Sequence, residues 1–260
     1  QKLDFSLSTI INNEKGNRPA FSDRILINAN FPKSTSAVKE ALNTLMDYPS
    51  LAIDIETHGL QHHKCGLATI AFSWKTGEGI AFQVDNQSKK NYLKQFFMHY
   101  KGKKIFHNAT FDVKVIIFEL FMKDLRDTEN LLIGLHYVCA DMHDTKIIAY
   151  LALNTTAELS LSLKNLAHTY SGNYAQEDIK DISKIPLTDL LEYNLVDCCA
   201  TNWVYDKYYP KIVEDNQLDI YNNLFMPSQK VLIQSELTGL PLSMDMVNRA
   251  EAELKQIIED

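Results

Sequence analysis

The chain has 260 residues, of which 45% are hydrophobic and 23% are charged, and its formal net charge is −7. This composition is typical of a packed globular protein with one large domain or two small ones, and it excludes a disordered or fibrous chain. The negative charge argues against tight, sequence-independent binding of duplex nucleic acid, but it does not exclude a nucleic-acid enzyme whose acidic residues bind metal. The apolar runs fall short of the roughly 20 residues of a membrane-spanning helix, so we expect no membrane partner.

The cysteine pattern indicates a reducing compartment. Cys65, Cys139, Cys198 and Cys199 include no C-x-x-C pair, which is a poor framework for disulfides or structural zinc. We therefore expect a cytoplasmic protein, and no secretion signal is visible at the N-terminus. The segment His62-His63-Lys64-Cys65 contains metal-binding side chains, but a polar loop is its commoner explanation. The chain does not begin with Met, which suggests a processed or excised piece.

The first half of the chain predicts a lead-in segment, residues 1–48, then a three-stranded meander, then alternating strands and helices. Strands are identified by alternating apolar and polar residues, and helices by apolar stripes and capping residues. The predicted elements are an edge strand at 24–28, a helix at 37–46 with Ser36 as N-cap, strands at 50–56, 66–74 and 79–84, a helix at 91–100, a strand at 104–107 and a helix at 111–122.

The second half is predicted to be helical. Its elements are an added helix at 129–137, helices at 144–153 and 162–170, a long helix that begins at Pro186 and continues toward Tyr205, a helix at 218–238 interrupted by Pro227, and an amphipathic helix that runs to residue 260. Together the elements predict an α/β fold, with a mixed central β-sheet flanked by helices and with a C-terminal helical extension.

Two acidic residues, Asp54 and Glu56, lie two positions apart in the strand predicted at residues 50–56. Because side chains alternate between the faces of a strand, both carboxylates leave one face while Ile53 and Ile55 pack against the other. An exposed edge strand would tolerate such a pair in water. The pair alone therefore does not identify a site.

Three further side chains suit a shared site with this pair. Asp112 falls in the first turn of a predicted helix, where the helix dipole favours an anion. Tyr193 and Asp197 lie four residues apart, on one side of the long helix. Each feature is ordinary by itself. Four acids near one sheet, however, could bind two divalent ions about 3.5 to 4 Å apart and activate water for phosphodiester hydrolysis.

The segments that carry these acids resemble the three motifs of the DEDD exonuclease superfamily. They are Asp54-Ile55-Glu56-Thr57, then Asn108-x-x-x-Asp112 with Phe111 before the acid, then Tyr193-x-x-x-Asp197. The tyrosine is typical of the DEDDy branch. The resemblance runs from residue 50 to residue 209. It implies a ribonuclease H-like exonuclease fold, with residues 49–210 as the 3′-5′ exonuclease domain.

The resemblance implies a role for each motif residue. Asp54, Glu56, Asp112 and Asp197 would bind two divalent ions, Mg²⁺ or Mn²⁺ as its substitute, because hard carboxylate ligands favour these metals. Asp54, Glu56 and Asp197 would hold the ion that carries the attacking water, and Asp54 with Asp112 the ion at the leaving 3′ oxygen. Tyr193 would orient the water together with Glu56, without any need to ionise.

The same resemblance assigns substrate contacts to Thr57, Leu60 and Asn108. Leu60 stands where related enzymes present an apolar side chain to the terminal bases, although packing within its loop explains it equally well. Asn108 would contact the terminal nucleotide or would cap the helix that follows it. Asp144 belongs to an Asp-Thr pair that is common in this family, and we expect it to cap a helix rather than bind metal.

The C-terminal residues resemble the segment that joins the exonuclease and polymerase domains of family A DNA polymerases. The pattern is Met226-Pro227, followed by Glu236-x-x-Gly239-Leu240. Residues 211–260 are therefore predicted to be a helical linker and the beginning of a polymerase domain, in a fragment or shortened relative of such a polymerase. The expected partners are a single-stranded or frayed 3′ end of DNA and a polymerase domain, in the same chain or lost by truncation.

Three functions remain open at this point. The tail favours the first, a proofreading 3′-5′ exodeoxyribonuclease. The second is an exoribonuclease resembling RNase D, because both enzymes cleave the same linkage and the distinction depends on sensing the 2′-hydroxyl. The third is a non-catalytic module that binds nucleic acid or a partner, which is disfavoured because all four acids and the tyrosine are in place.

Overall fold

The computed structural model describes residues 25–153, 160–172 and 182–259. Within them a six-stranded mixed sheet carries helices on both faces, which confirms the predicted α/β class. The strands are β1 (Asn28–Asn30), β2 (Ser50–Thr57), β3 (Leu67–Lys75), β4 (Glu78–Gln83), β5 (Lys103–Phe106) and β6 (Met142–Asp144). No helix of these residues is both long and apolar enough to cross a membrane.

The helices follow the same chain order. They are α1 (Thr35–Leu45), α2 (Gln87–His99), α3 (Thr110–Leu120), α4 (Thr128–Val138), α5 (Thr145–Leu153), α6 (Leu163–Leu166), α7 (His168–Ser171), α8 (Leu187–Glu214), α9 (Leu218–Ile220), α10 (Met226–Thr238) and α11 (Met244–Glu259). A turn of 3-10 helix at Ile182–Lys184 precedes α8, and a π-helical segment at Tyr221–Phe225 joins α9 to α10.

The sheet has the order β1-β4-β3-β2-β5-β6. The predicted meander is present, because β2 pairs antiparallel with β3 and β3 pairs antiparallel with β4. The remaining neighbours, β1 with β4, β2 with β5 and β5 with β6, are parallel. β2 is therefore a central strand, with partners on both of its edges.

Side chains of different size cover the two faces of β2. Leu51, Ile53 and Ile55 lie in one buried cluster with apolar residues of α1 to α4. On the opposite face, Ala52 lies in a second cluster with residues of α8, together with alanines of β3 and β4. Small side chains let a helix lie close to a sheet. Gly79 is an extreme case, because a Cβ there would lie only 2.7 Å from Leu195 Cδ1 of α8.

The C-terminal segment packs against this core as far as α10. Tyr221 is fully buried in the cluster that contains α8. Ile233 and Leu237 of α10 are buried in the other cluster, with residues of α3 and α4. The domain boundary predicted at residue 210 falls inside α8, which continues without interruption to Glu214. The division into domains stays a prediction.

Some predicted elements in the first half are displaced. The edge strand expected at 24–28 is found at Asn28–Asn30. The N–H groups of Ile27 and Asn28 both donate to the Gly77 carbonyl, so regular pairing with β4 begins only at Asn28. Arg24 lies outside the described residues. The N-cap of α1 is Ser34 rather than Ser36, since the Ser34 side chain accepts from the Ala37 N–H. Neither change moves a candidate site residue.

The second half shows larger differences. The added helix expected at 129–137 is present as α4. The helix expected at 144–153 begins one residue later, because Asp144 ends a short strand, β6, that the sequence did not predict. The helix expected at 162–170 is divided into α6 and α7. Pro227 lies in the first turn of α10, where its missing N–H costs little, and the irregularity is the π-helical segment before it.

Candidate active site

β2 carries Asp54 and Glu56 across the middle of the sheet. Asp54 lies opposite Ala71 of β3, and Glu56 lies opposite Thr69. Both acidic residues share a strand face with Ala52, as their alternation predicts. This is the face on which α8 packs. The chain thus places two carboxylates between a sheet and a helix rather than on an exposed edge.

α8 brings Asn194 and Asp197 to these carboxylates. Asn194 Nδ2 donates to Asp54 Oδ2 at 2.7 Å, and Asn194 Oδ1 accepts from Thr69 Oγ1 at 2.9 Å. Asp54, Glu56 and Asp197 each offer one oxygen, and these three atoms lie within 4.8 Å of one another. Asp197 is 8% exposed, and its Oδ1 is buried with no hydrogen-bond partner in the described part of the chain.

Asp112 reaches the edge of this cluster from the start of α3. Parallel pairing with β5 covers β2 only from Ser50 to Ala52, so later N–H groups on that edge lack a strand partner there. Asp112 Oδ1 accepts one of them, the Ile55 N–H, at 3.3 Å. Its carboxylate is therefore held beside the backbone that separates Asp54 from Glu56. The four predicted acids converge, with three in one group and Asp112 next to it.

Burial raises the pKa of every acid in the cluster. It raises the pKa of Glu56 from 4.5 to about 7, and those of Asp112 and Asp197 from 3.8 to about 8. The pKa of Asp54 is raised well above its ordinary value, first by burial and then by the negative charges of Asp112, Asp197 and Glu56. Near neutral pH the four carboxyl groups can therefore all be ionised only if positive charge is supplied nearby.

Lys164 brings one positive charge to the cluster. Its Nζ lies 5.6 Å from the centre of the Tyr193 ring. The lysine lowers the pKa values of Glu56 and Asp197, which opposes the larger effect of burial. Burial also raises the pKa of Tyr193, so its phenol keeps its proton at neutral pH. Lys164 and Asn194 were not predicted from the sequence, because no motif spacing relates them to the acids.

The predicted substrate contacts differ in their surroundings. Leu60 is 88% exposed, so packing within its loop does not explain it. Thr57 Oγ1 donates to the Gly59 carbonyl at 2.7 Å and holds the start of this loop. The capping alternative for Asn108 is wrong, because Ala109 occupies the N-cap position of α3 and Asn108 Oδ1 instead accepts from Lys146 Nζ at 3.3 Å.

Asp144 has the capping role expected of it, on two helices. Its carboxylate accepts from the N–H groups of Asn108 at 3.0 Å, Ala109 at 2.9 Å and Lys146 at 2.9 Å. The first two precede α3, and the third lies in the first turn of α5. Asp144 is 1% exposed. That one residue would serve both helices could not be read from the sequence.

The His62 to Cys65 segment behaves as a loop. Cys65 is buried, and the His62 ring packs edge-on against Phe118 with 6.3 Å between ring centres. Across the residues that the structure describes, the one group of at least three metal-binding side chains is Asp54, Glu56 and Asp197. The donor set of that group suits a hard divalent ion, because it consists of carboxylate oxygens. The unpartnered Asp197 Oδ1 leaves a lone pair for such an ion.

Comparison with known families identifies the class of protein. Residues 30–212 match the family model for the 3′-5′ exonuclease of DNA polymerase A proteins. The match covers more than half of the chain, so the chain belongs to this 3′-5′ exonuclease family. The protein is therefore assigned to the nucleases, and its acidic cluster lies within the matched residues.

A curated relative narrows the comparison. DNA polymerase I of Borreliella burgdorferi is 24% identical over 217 residues. The aligned region is 79% of this chain but 22% of the polymerase. The chain thus spans less than a quarter of that relative, and the activities of the whole polymerase do not follow from the match.

Solved structures share the fold at low sequence identity. Pol1 from M. smegmatis, in complex with DNA primer-template and dNTP, gives a TM-score of 0.60 at 14% identity, over 89% of this chain and 36% of that one. Brucella melitensis NrnC bound to pGG gives a TM-score of 0.57 at 18% identity, over 79% of this chain and 92% of that one. NrnC has also been solved with bound Mg²⁺. Escherichia coli RNase D, an exoribonuclease, gives a TM-score of 0.56 at 16% identity, over 82% of this chain and 52% of that one. These likenesses confirm the predicted ribonuclease H-like fold and leave the choice between DNA and RNA open.

Proposed function

We propose that the protein is a metal-dependent 3′-5′ exodeoxyribonuclease that removes nucleotides from single-stranded or frayed 3′ ends of DNA. The observation that carries this proposal is the convergence of Asp54, Glu56 and Asp197, with oxygens within 4.8 Å of one another, beside Asp112. Buried acids in such a group repel one another unless cations are present. Phosphodiester hydrolysis with divalent ions is the chemistry that this arrangement serves best.

Asp54, Glu56, Asp112 and Asp197 would hold two Mg²⁺ ions, for which Mn²⁺ can substitute. When bound, the ions would supply a water ionised near neutral pH and would neutralise charge on the leaving 3′ oxygen. Two of the carboxylates are oriented in advance by protein donors. Asn194 fixes an oxygen of Asp54, and the Ile55 N–H fixes an oxygen of Asp112.

Tyr193 has a positioning role in this proposal. Its pKa is raised by burial, so the phenol remains a neutral hydrogen-bonding group. It orients the attacking water together with Glu56, whose negative charge also raises the Tyr193 pKa. Lys164 lies next to the phenol and reduces the repulsion between the acids and an incoming phosphate.

The 3′ end of the substrate would contact the loop after β2 and the loop before α3. Leu60 is exposed and offers an apolar surface to the terminal bases. Thr57 holds the Gly59 carbonyl and so sets the path of the Leu60 loop. Asn108, in the loop before α3, would contact the terminal nucleotide.

DNA is proposed as substrate on the basis of two sequence likenesses. One is the relation to a DNA polymerase I, and the other is the Met226-Pro227 to Gly239 pattern at the C-terminus. The same likenesses support a polymerase domain as the partner in the parent protein. RNA is the second candidate, because the fold is shared with the exoribonuclease RNase D. A non-catalytic binding module is the third.

Digestion of 5′-labelled single-stranded DNA and RNA of matched sequence tests the proposal. Reactions contain Mg²⁺, Mn²⁺ or EDTA, and an Asp54→Asn variant is the control for contaminating nucleases. The expected result is a metal-dependent ladder that shortens DNA from its 3′ end and disappears in the variant. Strong preference for RNA would replace DNA with RNA as substrate. A folded protein that cleaves neither would contradict the nuclease proposal.

A further inference from the structure

The backbone that places Asp112 is fixed from outside its own helix. Ala109 is the N-cap of α3, and its methyl side chain has no group that could cap the helix. Asn108, just before it, has a φ of 62°, a left-handed conformation that asparagine adopts more readily than most other non-glycine residues. Asp144 accepts the N–H groups of both residues. These bonds set where α3 begins, and Asp112 lies in its first turn.

Asp144 is in turn held by residues of the C-terminal segment. The Asp144 N–H donates to Tyr221 Oη at 3.2 Å, and Gln229 Nε2 donates to Asp144 Oδ2 at 3.4 Å. Tyr221 Oη also hydrogen-bonds His143 Nδ1 at 3.1 Å, and His143 Nε2 lies 3.3 Å from Asp141 Oδ1. Tyr221 is fully buried, so its hydroxyl is fixed between these partners.

A second set of contacts attaches the same segment along α3. Lys114 of α3 forms an ion pair with Glu236 of α10. Ile233 and Leu237 of α10 are buried in the cluster that contains the apolar face of α3. The segment therefore packs against α3 along its length and is connected to the N-terminus of α3 through Asp144.

We propose that residues 221–238 are a positioning element of the nuclease site, which fixes Asp112 through Tyr221, Asp144 and the N-terminus of α3. None of the five motif residues belongs to this segment, and Tyr221, Gln229 and Asp144 are positioning residues rather than ligands. The assignment of Asp112 to the reaction rests on the proposed function. The mechanical link itself does not.

Tyr221→Phe tests the link, because it removes the hydroxyl and keeps the ring. Tyr100→Phe is the matched control. Tyr100, which precedes β5, is also buried, and its hydroxyl donates to the Tyr48 carbonyl at 3.0 Å. Amide hydrogen exchange followed by mass spectrometry is compared for peptides that span residues 107–116. We expect exchange there to accelerate at least about tenfold in Tyr221→Phe and to stay unchanged in Tyr100→Phe.

Gln229→Met is a second variant, which removes the amide donor and preserves side-chain length. It is expected to accelerate exchange in the same peptides by a smaller factor, because its bond to Asp144 is the longer one. Unchanged exchange at residues 107–116 in Tyr221→Phe, or equal acceleration in every peptide of the protein, would overturn the proposal.

Binding of Mn²⁺, measured by calorimetry, separates positioning from general stability. Tyr221→Phe should weaken Mn²⁺ binding by up to about tenfold, the lower end of the effect of removing a direct hydrogen-bond partner of a metal ligand, because Tyr221 acts through Asp144; Tyr100→Phe should not weaken it. In an Asp112→Asn background, Tyr221→Phe should cause no further loss. An equal loss in that background would contradict action through Asp112.

The two proposals can fail separately. Faster exchange at residues 107–116 in a protein that cleaves neither DNA nor RNA would keep the positioning link and reject the nuclease function. Normal exchange in Tyr221→Phe, together with active wild-type protein, would do the reverse.

Discussion

Asp144 and Asp197 are both buried aspartates, and they differ in what their oxygens contact. Asp144 accepts three backbone N–H groups and lies at the N-termini of two helices. Asp197 has one oxygen without a hydrogen-bond partner among the described residues, and an oxygen of it lies within 4.8 Å of oxygens from two other acids. A buried carboxylate whose oxygens accept hydrogen bonds from the backbone has a structural role. Buried acids whose oxygens lie close to one another form a site that needs a cation.

The contrast has an energetic basis. Burying a charged group is costly unless hydrogen bonds replace its hydration. Burial raises the pKa of Asp144 above its ordinary value, and the backbone donors that replace its hydration oppose this effect. At Asp54 the neighbouring acids add to the effect of burial instead. Replacing an aspartate with asparagine should therefore have opposite consequences at the two places.

Asp54→Asn should give the largest change in activity. It removes a proposed metal ligand, so we expect hydrolysis to fall by roughly a thousandfold or more. Stability in EDTA should stay the same or rise by about 1 kcal/mol, because repulsion among the acids is relieved. Asp245→Asn, at an exposed position of α11, is the control in nuclease and urea-denaturation assays. A strongly destabilised Asp54→Asn would contradict the difference proposed between Asp54 and Asp144.

Asp144→Asn should give the largest loss of stability. An amide cannot accept all three backbone N–H groups as a carboxylate does, so we expect the free energy of unfolding to fall by about 2 to 4 kcal/mol. Urea denaturation in EDTA measures this loss without interference from metal binding. A change below about 0.5 kcal/mol, the range of ordinary surface substitutions, would show that Asp144 is not a structural carboxylate.

Tyr193→Phe should reduce kcat by roughly tenfold to a hundredfold, because a positioning hydroxyl is lost from the reacting water. Affinity for Mn²⁺ should not change, since the phenol is not a proposed ligand. Single-turnover kinetics and a Mn²⁺ titration on the same preparation separate the two effects. A variant with normal kcat and weakened metal binding would reverse the role assigned to Tyr193.

Stability without metal should depend on pH in a direction set by the cluster. Glu56, Asp112 and Asp197 have pKa values of about 7, 8 and 8 in the folded protein, against 4.5, 3.8 and 3.8 ordinarily. Between about pH 4 and 8 the folded state thus binds more protons than the unfolded state, so stability falls as pH rises.

Thermal melting in EDTA measures this effect, which should amount to at least about 1 kcal/mol over that range. Mg²⁺ should restore stability most at the alkaline end, where protons no longer compete for the carboxylates. In the Asp54→Asn variant the pH dependence should be weaker. A melting temperature that rises from pH 5 to pH 8 in EDTA would contradict the raised pKa values.

Leu60→Ala should have the smallest effect. The side chain is exposed, so stability should change by less than about 0.5 kcal/mol. KM for single-stranded DNA should rise a few-fold if the leucine contacts terminal bases, because an aliphatic contact contributes less than the roughly 1 to 3 kcal/mol per base of aromatic stacking. An unchanged KM would remove Leu60 from the substrate contacts.

The sequence predicted those parts of the site that depend on local periodicity. Alternation in β2 places Asp54 and Glu56 on one face, and helical spacing stacks Tyr193 and Asp197 on one side of α8. The resemblance to known motifs then indicated that these pairs meet. The order of strands β2 to β4 also followed from turn residues and alternation, because hairpins are local structures.

The parts that were missed depend on contacts between distant residues. Asn194 bonds Thr69 across 125 positions, and Tyr221 bonds His143 across 78. β6 has only three residues, and its pattern is too short to distinguish from the start of a helix. The packing of α10 against α3 likewise has no local sign, because only Ile233 and Leu237 of α10 are buried and its sequence shows no clear apolar stripe.

Titration of the metal-free protein with Mn²⁺ in a calorimeter tests the central contrast most directly. We expect saturable binding by the wild type, its loss in Asp54→Asn, and its retention in the exposed control Asp245→Asn. Absence of binding by folded wild-type protein, or binding that Asp54→Asn leaves unchanged, would contradict the assignment of the clustered acids to a metal site.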